Sequence, residues 1–176
     1  NVIDNCMSSG MVDAFNFAGG ELGHIEIERG GKPCTCGRKG CFEAYASATG
    51  LILDTEEAIK KHPESKMTEF ASKYGKVNGR VAFDAARECA DIYAIEVVNQ
   101  YIAYLGEGLL NICNIFRPNL IILSGGIANQ GEYLLEKVEK YIKDRDYGYK
   151  NSPEVKVVNG TLGYDSGKIG AAALFF

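Results

Sequence analysis

At 176 residues the chain is long enough to bury one substantial core, and 46% apolar with 24% charged residues is the balance of a soluble globular protein. Its net charge of −4 is carried with lysines and arginines scattered singly, which argues against a nucleic-acid-binding face or a polybasic membrane anchor. No stretch approaches the roughly 20 apolar residues of a membrane span, and none has the build of a signal peptide. Three of the six cysteines sit in one short run while Cys6, Cys89 and Cys113 lie far apart in mostly apolar segments, a usage that fits a reducing cytoplasm better than a disulfide framework.

Residues 1–20 read as short extended pieces separated by Ser8-Ser9-Gly10 and Gly19-Gly20 turns, and the chain is expected to begin inside a larger protein. The densest chemistry follows. Cys34, Cys36 and Cys41 fall within eight residues, His24 lies ten residues ahead of the first, and Gly37 and Gly40 let the backbone fold round a centre. Three thiols and an imidazole are the donor set of a closed tetrahedral zinc site. With no position left for water, such a zinc is structural and activates no nucleophile.

Beyond this loop, Glu43 to Leu53 reads as a helix and Asp54-Thr55-Glu56-Glu57 as the start of another, ended by His62-Pro63. A short helix is expected over Thr68 to Tyr74, then a turn over Lys76 to Gly79. From about Phe83 to Phe116, Ile92, Ile95, Val98, Ile102, Leu105, Leu109, Ile112 and Phe116 recur at helical spacing. They predict a core helix, with a break expected near Gly106-Glu107-Gly108 and with Cys89 and Cys113 as small buried apolar groups. Arg117-Pro118 ends it. Leu120 to Leu123 then reads as a buried parallel strand opening into Ser124-Gly125-Gly126, followed by a helix from Glu132 to Lys143, a second strand at Val155 to Val158, a loop over Gly160 to Gly167 and a small-residue helix from Lys168 to Phe175. Alternating strands and helices predict an α/β fold. Gly125 and Gly126 stand where backbone amides could approach a ligand, though such a pair also serves as a plain turn.

Gly20 to His24 followed by Cys34-Thr-Cys-Gly-Arg-Lys-Gly-Cys41-Phe-Glu43-Ala-Tyr-Ala-Ser47 resembles the signature of the ROK family of repressors, open reading frames and sugar kinases. Val77 to Ala85, Asn114 to Pro118, Leu123 to Ile127 and Leu162 to Ala171 resemble, in order, the later blocks of its bacterial glucokinase branch. The resemblance implies an actin-like, ribonuclease-H-like α/β fold of two lobes, with residues 1–176 forming the larger carboxyl-terminal lobe, residues 24–41 its zinc-binding loop, and the amino-terminal lobe missing. It further implies a hexose, glucose foremost, bound through Glu21, His24 and Glu43. His24 would use one ring nitrogen for zinc and the other for sugar, and ATP with Mg would contact Gly125 and Gly126 through its adenosine end. Glu21 and Glu43 as solvated surface acids are the plain alternative.

The family's first phosphate loop, its Glu-Asn-Asp-Ala base motif and its second glycine-rich phosphate loop are not recognisable in this chain, and no Walker-type lysine loop replaces them. No catalytic residue is therefore assigned. The expectation is the sugar-binding, zinc-containing lobe of an ATP-dependent glucokinase, inactive alone, cytoplasmic, homodimeric, and without membrane or nucleic-acid partners. The competing classes are the effector-sensing lobe of a ROK transcriptional repressor and a zinc-stabilised oligomerisation module.

Overall fold

A computed structural model describes residues 20–148 and 153–173. The readings made for residues 1–19, Cys6 and the missing phosphate loop among them, fall outside the described residues. Helices dominate. A 3-10 turn at Leu22–His24 leads through the cysteine loop into α1 (Glu43–Ala46) and α2 (Ala48–Lys61), then α3 (Lys66–Lys73), α4 (Val81–Cys89) and α5 (Ile92–Phe116). Strand β1 (Leu120–Leu123), α6 (Glu132–Arg145), β2 (Lys156–Asn159) and α7 (Ser166–Ala173) complete the order.

Beyond shifts of a residue or two at helix ends, the helices differ from the sequence expectation at three places, each with a local cause. The break expected before Asp54 lies at Ser47, whose hydroxyl accepts from the Gly50 N–H at 3.1 Å as an N-cap. Asp54 instead pairs with Lys32, and Thr55 turns its hydroxyl back onto the Leu51 carbonyl at 2.7 Å. A second break falls between α4 and α5, where Ala90 is left-handed (φ 50°) and Asp91 caps α5. One Asp91 oxygen accepts from Ala94 N–H and from the Ser65 hydroxyl, the other from Lys66 N–H, so one carboxylate starts α5 and also ties down the start of α3.

The third difference is at Gly106-Glu107-Gly108, where α5 runs on unbroken. Both glycines are there for close approach: a β-carbon at Gly108 would intrude on the Phe42 ring, and one at Gly106 on Tyr141. Along the expected stripe, Val98, Ile102, Leu105 and Leu109 are buried, Ile95 and Ile112 pack partly against the core, and Ile92 and Phe116 are exposed. Cys113 is buried as expected, but Cys89 is exposed because it ends α4 just before the turn.

Helix α5 is the axis of the core, with α1, α2, α4 and α6 packed around it. Tyr101, buried at its centre, donates its hydroxyl to the Ala46 carbonyl at 3.0 Å, fixing the end of α1 across 55 residues of sequence. Strands β1 and β2 pair in parallel, Leu120 opposite Lys156 and Leu123 opposite Asn159, with α6 as the crossover between them. Ile121, Leu123 and Val157 point into the core while Leu120, Ile122 and Val158 lie on the exposed face. Where α5 ends, Arg117 adopts a left-handed conformation and its guanidinium grips both Asp146 oxygens at 2.7 and 2.8 Å and the Pro153 carbonyl at 3.2 Å. That clamp joins α5, the end of α6 and the approach to β2. Among the described residues no helix is long and apolar enough to cross a membrane.

Candidate metal centre and its neighbouring carboxylate

The loop between the 3-10 turn and α1 is held by backbone bonds that turn it into a compact knuckle. Cys34 N–H donates to the Arg38 carbonyl at 2.9 Å and Gly37 N–H to the Cys34 carbonyl at 3.0 Å. Pro33 bridges Lys39, and Glu26 bridges Cys41. Gly37 and Gly40 take φ values of 85° and 79°, where a side chain would be strained, and a β-carbon at Gly40 would strike the Glu28 backbone. At its base, Lys32 N–H donates to the Tyr45 hydroxyl at 2.6 Å and Lys32 pairs with Asp54, so α1 and α2 hold the loop from beneath.

The fold brings His24, Cys34, Cys36 and Cys41 together, with one donor atom from each lying within 4.8 Å of all the others. His24 Nδ1 is 3.6 Å from Cys34 Sγ, and Cys36 Sγ is 3.6 Å from Cys41 Sγ. Ligands placed about 2.0–2.3 Å from a tetrahedral zinc stand roughly 3.5–3.8 Å apart, so the two close pairs already match that spacing. The donor set is of the closed, structural kind.

The sulfurs are not equivalent. The Arg38 backbone N–H, followed by its guanidinium, brings the Cys36 thiol down to about 6. Burial, followed by hydrogen bonds from the Cys36 and Cys34 sulfurs, pushes Cys41 up to about 12. Exposed Cys36 is thus the more readily ionised of the two and buried Cys41 the less. Uptake of a metal by all three sulfurs releases protons.

Glu43 opens α1 beside this cluster. Its Oε1 accepts from Cys34 Sγ at 3.2 Å and from the Thr35 hydroxyl at 3.1 Å, and lies 3.8 Å from His24 Nδ1. Gly23 packs against the Glu43 side chain, and Glu21 stands exposed ahead of the same 3-10 turn, its carbonyl accepting from His24 N–H at 3.0 Å. Two residues that the spacing did not single out complete the setting. Arg38 donates to the His24 carbonyl at 2.6 Å, and Phe42, between Cys41 and Glu43, is buried against Gly108 of α5. A basic residue inside a run of cysteines was the available signal for Arg38; nothing local marks Phe42.

Gly125 and Gly126 lie in a separate place, at the carboxyl end of β1. Gly125 has φ 97°, and its carbonyl accepts from Ala128 N–H at 3.2 Å, closing a turn that contains buried Ile127. Gly79, in the block ahead of α4, packs against that Ile127.

Residues 3–176 match the family model described as "ROK family". The chain belongs to the ROK family. A ROK glucokinase from Streptomyces griseus, solved in complex with glucose and AMPPNP, superposes with a TM-score of 0.78 at 28% identity, covering 89% of this chain and 51% of that one. The chain therefore has the actin-like α/β fold of ROK sugar kinases. The glucokinase of Halalkalibacterium halodurans is 34% identical over 161 residues, 90% of this chain and 48% of the relative. The xylose repressor of Bacillus spizizenii is 29% identical over 155 residues, 88% of this chain and 36% of the relative. This ROK chain spans about half the length of the glucokinases it matches.

Proposed function

We propose that the chain is the sugar-binding, zinc-containing, carboxyl-terminal lobe of an ATP-dependent hexokinase-type ROK enzyme, converting ATP and glucose to ADP and glucose 6-phosphate when the other lobe is present. The observation that carries this is the convergence of His24 and Glu43 on the cysteine cluster. With Nδ1 turned toward Cys34, the imidazole is fixed at one nitrogen, and Nε2 is left for a sugar hydroxyl. Zinc, held by His24, Cys34, Cys36 and Cys41, would supply rigidity and a fixed tautomer. Glu43 and Glu21 would accept hydroxyl protons, and a charged acceptor discriminates strongly against an analogue that lacks the hydroxyl. Gly125 and Gly126 would admit the adenosine end of ATP, whose Mg complex supplies the phosphoryl group. No residue here is assigned as the base that takes the sugar proton, so the lobe alone turns nothing over. Homodimerisation and a cytoplasmic setting carry over from the family resemblance alone.

The test uses the purified 176-residue chain. Expected are one zinc per chain, magnetisation transfer from the zinc-loaded protein to glucose that is lost in Glu43→Gln, and no ADP formed from ATP with glucose. ATP-dependent glucose phosphorylation by this chain alone would refute the assignment. A second role, the effector-sensing lobe of a sugar-responsive repressor, is favoured by the similarity to the xylose repressor. The full reading frame separates the two: a helix-turn-helix ahead of the first lobe marks the repressor, and a start close to a phosphate loop marks the kinase.

A further inference from the structure

We infer that Arg38 is the positioning and charge-balancing residue of the candidate metal centre, one that joins the His24 main chain to the cysteine loop and sets how tightly an ion is held. This rests on the metal-centre assignment above and concerns a residue outside the donor set. Arg38 does two things at once. Its carbonyl accepts from Cys34 N–H at 2.9 Å, which closes the knuckle. Its side chain donates to the His24 carbonyl at 2.6 Å, linking the one ligand that comes from outside the knuckle to the three within it.

The charge balance gives that arrangement a purpose. A divalent ion with three thiolates and a neutral imidazole is left with one net negative charge. Glu43 places a second anion 3.2 Å from Cys34 Sγ. Two like charges so close repel, and a cation in the same group offsets them. The loop holds three other bases, Arg29, Lys32 and Lys39; Lys32 pairs with Asp54, and it is Arg38 whose side chain reaches the His24 carbonyl. Arg38 is placed to offset the excess while its planar fork holds the His24 carbonyl, a geometry that a lysine ammonium does not reproduce.

The experiment compares wild type, Arg38→Gln and Arg38→Lys as full chains, measuring zinc affinity by chelator competition and recording the spectrum with cobalt in place of zinc. Expected is one metal per chain in all three, with tetrahedral thiolate–cobalt bands retained. Arg38→Gln should bind about 10–100-fold more weakly, the range for loss of a group that orients a ligand. Arg38→Lys should recover part of the loss, and the gap should narrow in about 1 M salt, where the screening length is about 3 Å. Equal affinity of Arg38→Gln and wild type within about twofold, at unchanged stoichiometry, overturns the inference. So does loss of the cobalt bands at saturating metal in Arg38→Gln, which would make Arg38 a builder of the loop. Wild-type protein that takes up no metal would sink the metal-centre assignment itself, a result distinct from either.

Discussion

Replacing Gly108 with alanine tests whether the core and the cysteine loop are one mechanical unit. The new β-carbon would sit inside contact distance of three carbons of the Phe42 ring, so the ring must retreat by roughly 1 Å or more to reach an ordinary carbon–carbon contact of about 3.5 Å. Phe42 is 1% exposed and lies between Cys41 and Glu43 in sequence, so it has nowhere to go that does not move both. Overpacking of this sort costs about 1–3 kcal/mol, against a gain of about 1 kcal/mol from alanine over glycine in a helix interior. The net is a loss of up to about 2 kcal/mol, or up to roughly 8 °C in melting temperature for a domain of this size. Gly106→Ala is the matched control, because its obstacle is the half-buried ring of Tyr141, which can swing away at the expense of its 2.6 Å bond to Glu107. Urea unfolding of both variants in the presence of zinc, with zinc affinity by chelator competition, reads stability and site together. Gly108→Ala as stable as Gly106→Ala, with unaltered zinc affinity, would refute the proposed coupling.

Cys36→Ser should abolish stoichiometric zinc binding and lower the melting temperature, whereas Cys89→Ser, at an exposed position away from the donor set, should leave both unchanged in elemental analysis and calorimetry. Tyr101→Phe leaves the buried Ala46 carbonyl without its donor and should cost about 1 kcal/mol by urea unfolding. Asp146→Asn breaks the grip of Arg117 and should cost about 2 kcal/mol at neutral pH. Arg117 holds the Asp146 carboxyl below its usual value, so this contribution is fully present above the unfolded carboxyl value of about 3.9 and fades as pH falls through the lower folded value. The unfolding midpoints of wild type and Asp146→Asn should accordingly stay apart from pH 7 to about 5 and converge in stronger acid. A gap that persists unchanged at the acid end would show that charge is not what Asp146 contributes.

The cysteine cluster was legible because its chemistry is local: three donors within one knuckle advertise themselves by spacing, and His24 is one short excursion away. The strand–helix–strand unit was legible for a similar reason, since Leu120 to Leu123 is a short apolar run bounded by Arg117-Pro118 and a glycine turn. What the sequence hid was set by partners distant along the chain. Asp54 resembled a helix start until Lys32 was seen to hold it. The glycines at positions 106 and 108 resembled a break because nothing in α5 shows that Phe42 and Tyr141 need the room. Cys89 read as buried because its apolar neighbours are, whereas its position at the last turn of α4 turns it outward. Glu43 and Arg38 sit within the signature block, yet their contacts to Cys34 and to the His24 carbonyl depend on how the loop folds back.

Helix α5 also acts as a ruler. Its 25 residues span about 37 Å at 1.5 Å per residue, with the cysteine loop leaning on its flank at Gly108 and the glycine turn reached through β1 beyond its end. One residue inserted into it would turn everything downstream by about 100°, swinging the clamp at Arg117 and both strands off the core together. Length variation in this chain should therefore collect in the connections, such as Lys76 to Gly79, and be purged from α5, leaving the spacing between the two candidate ligand ends fixed by the pitch of a single helix.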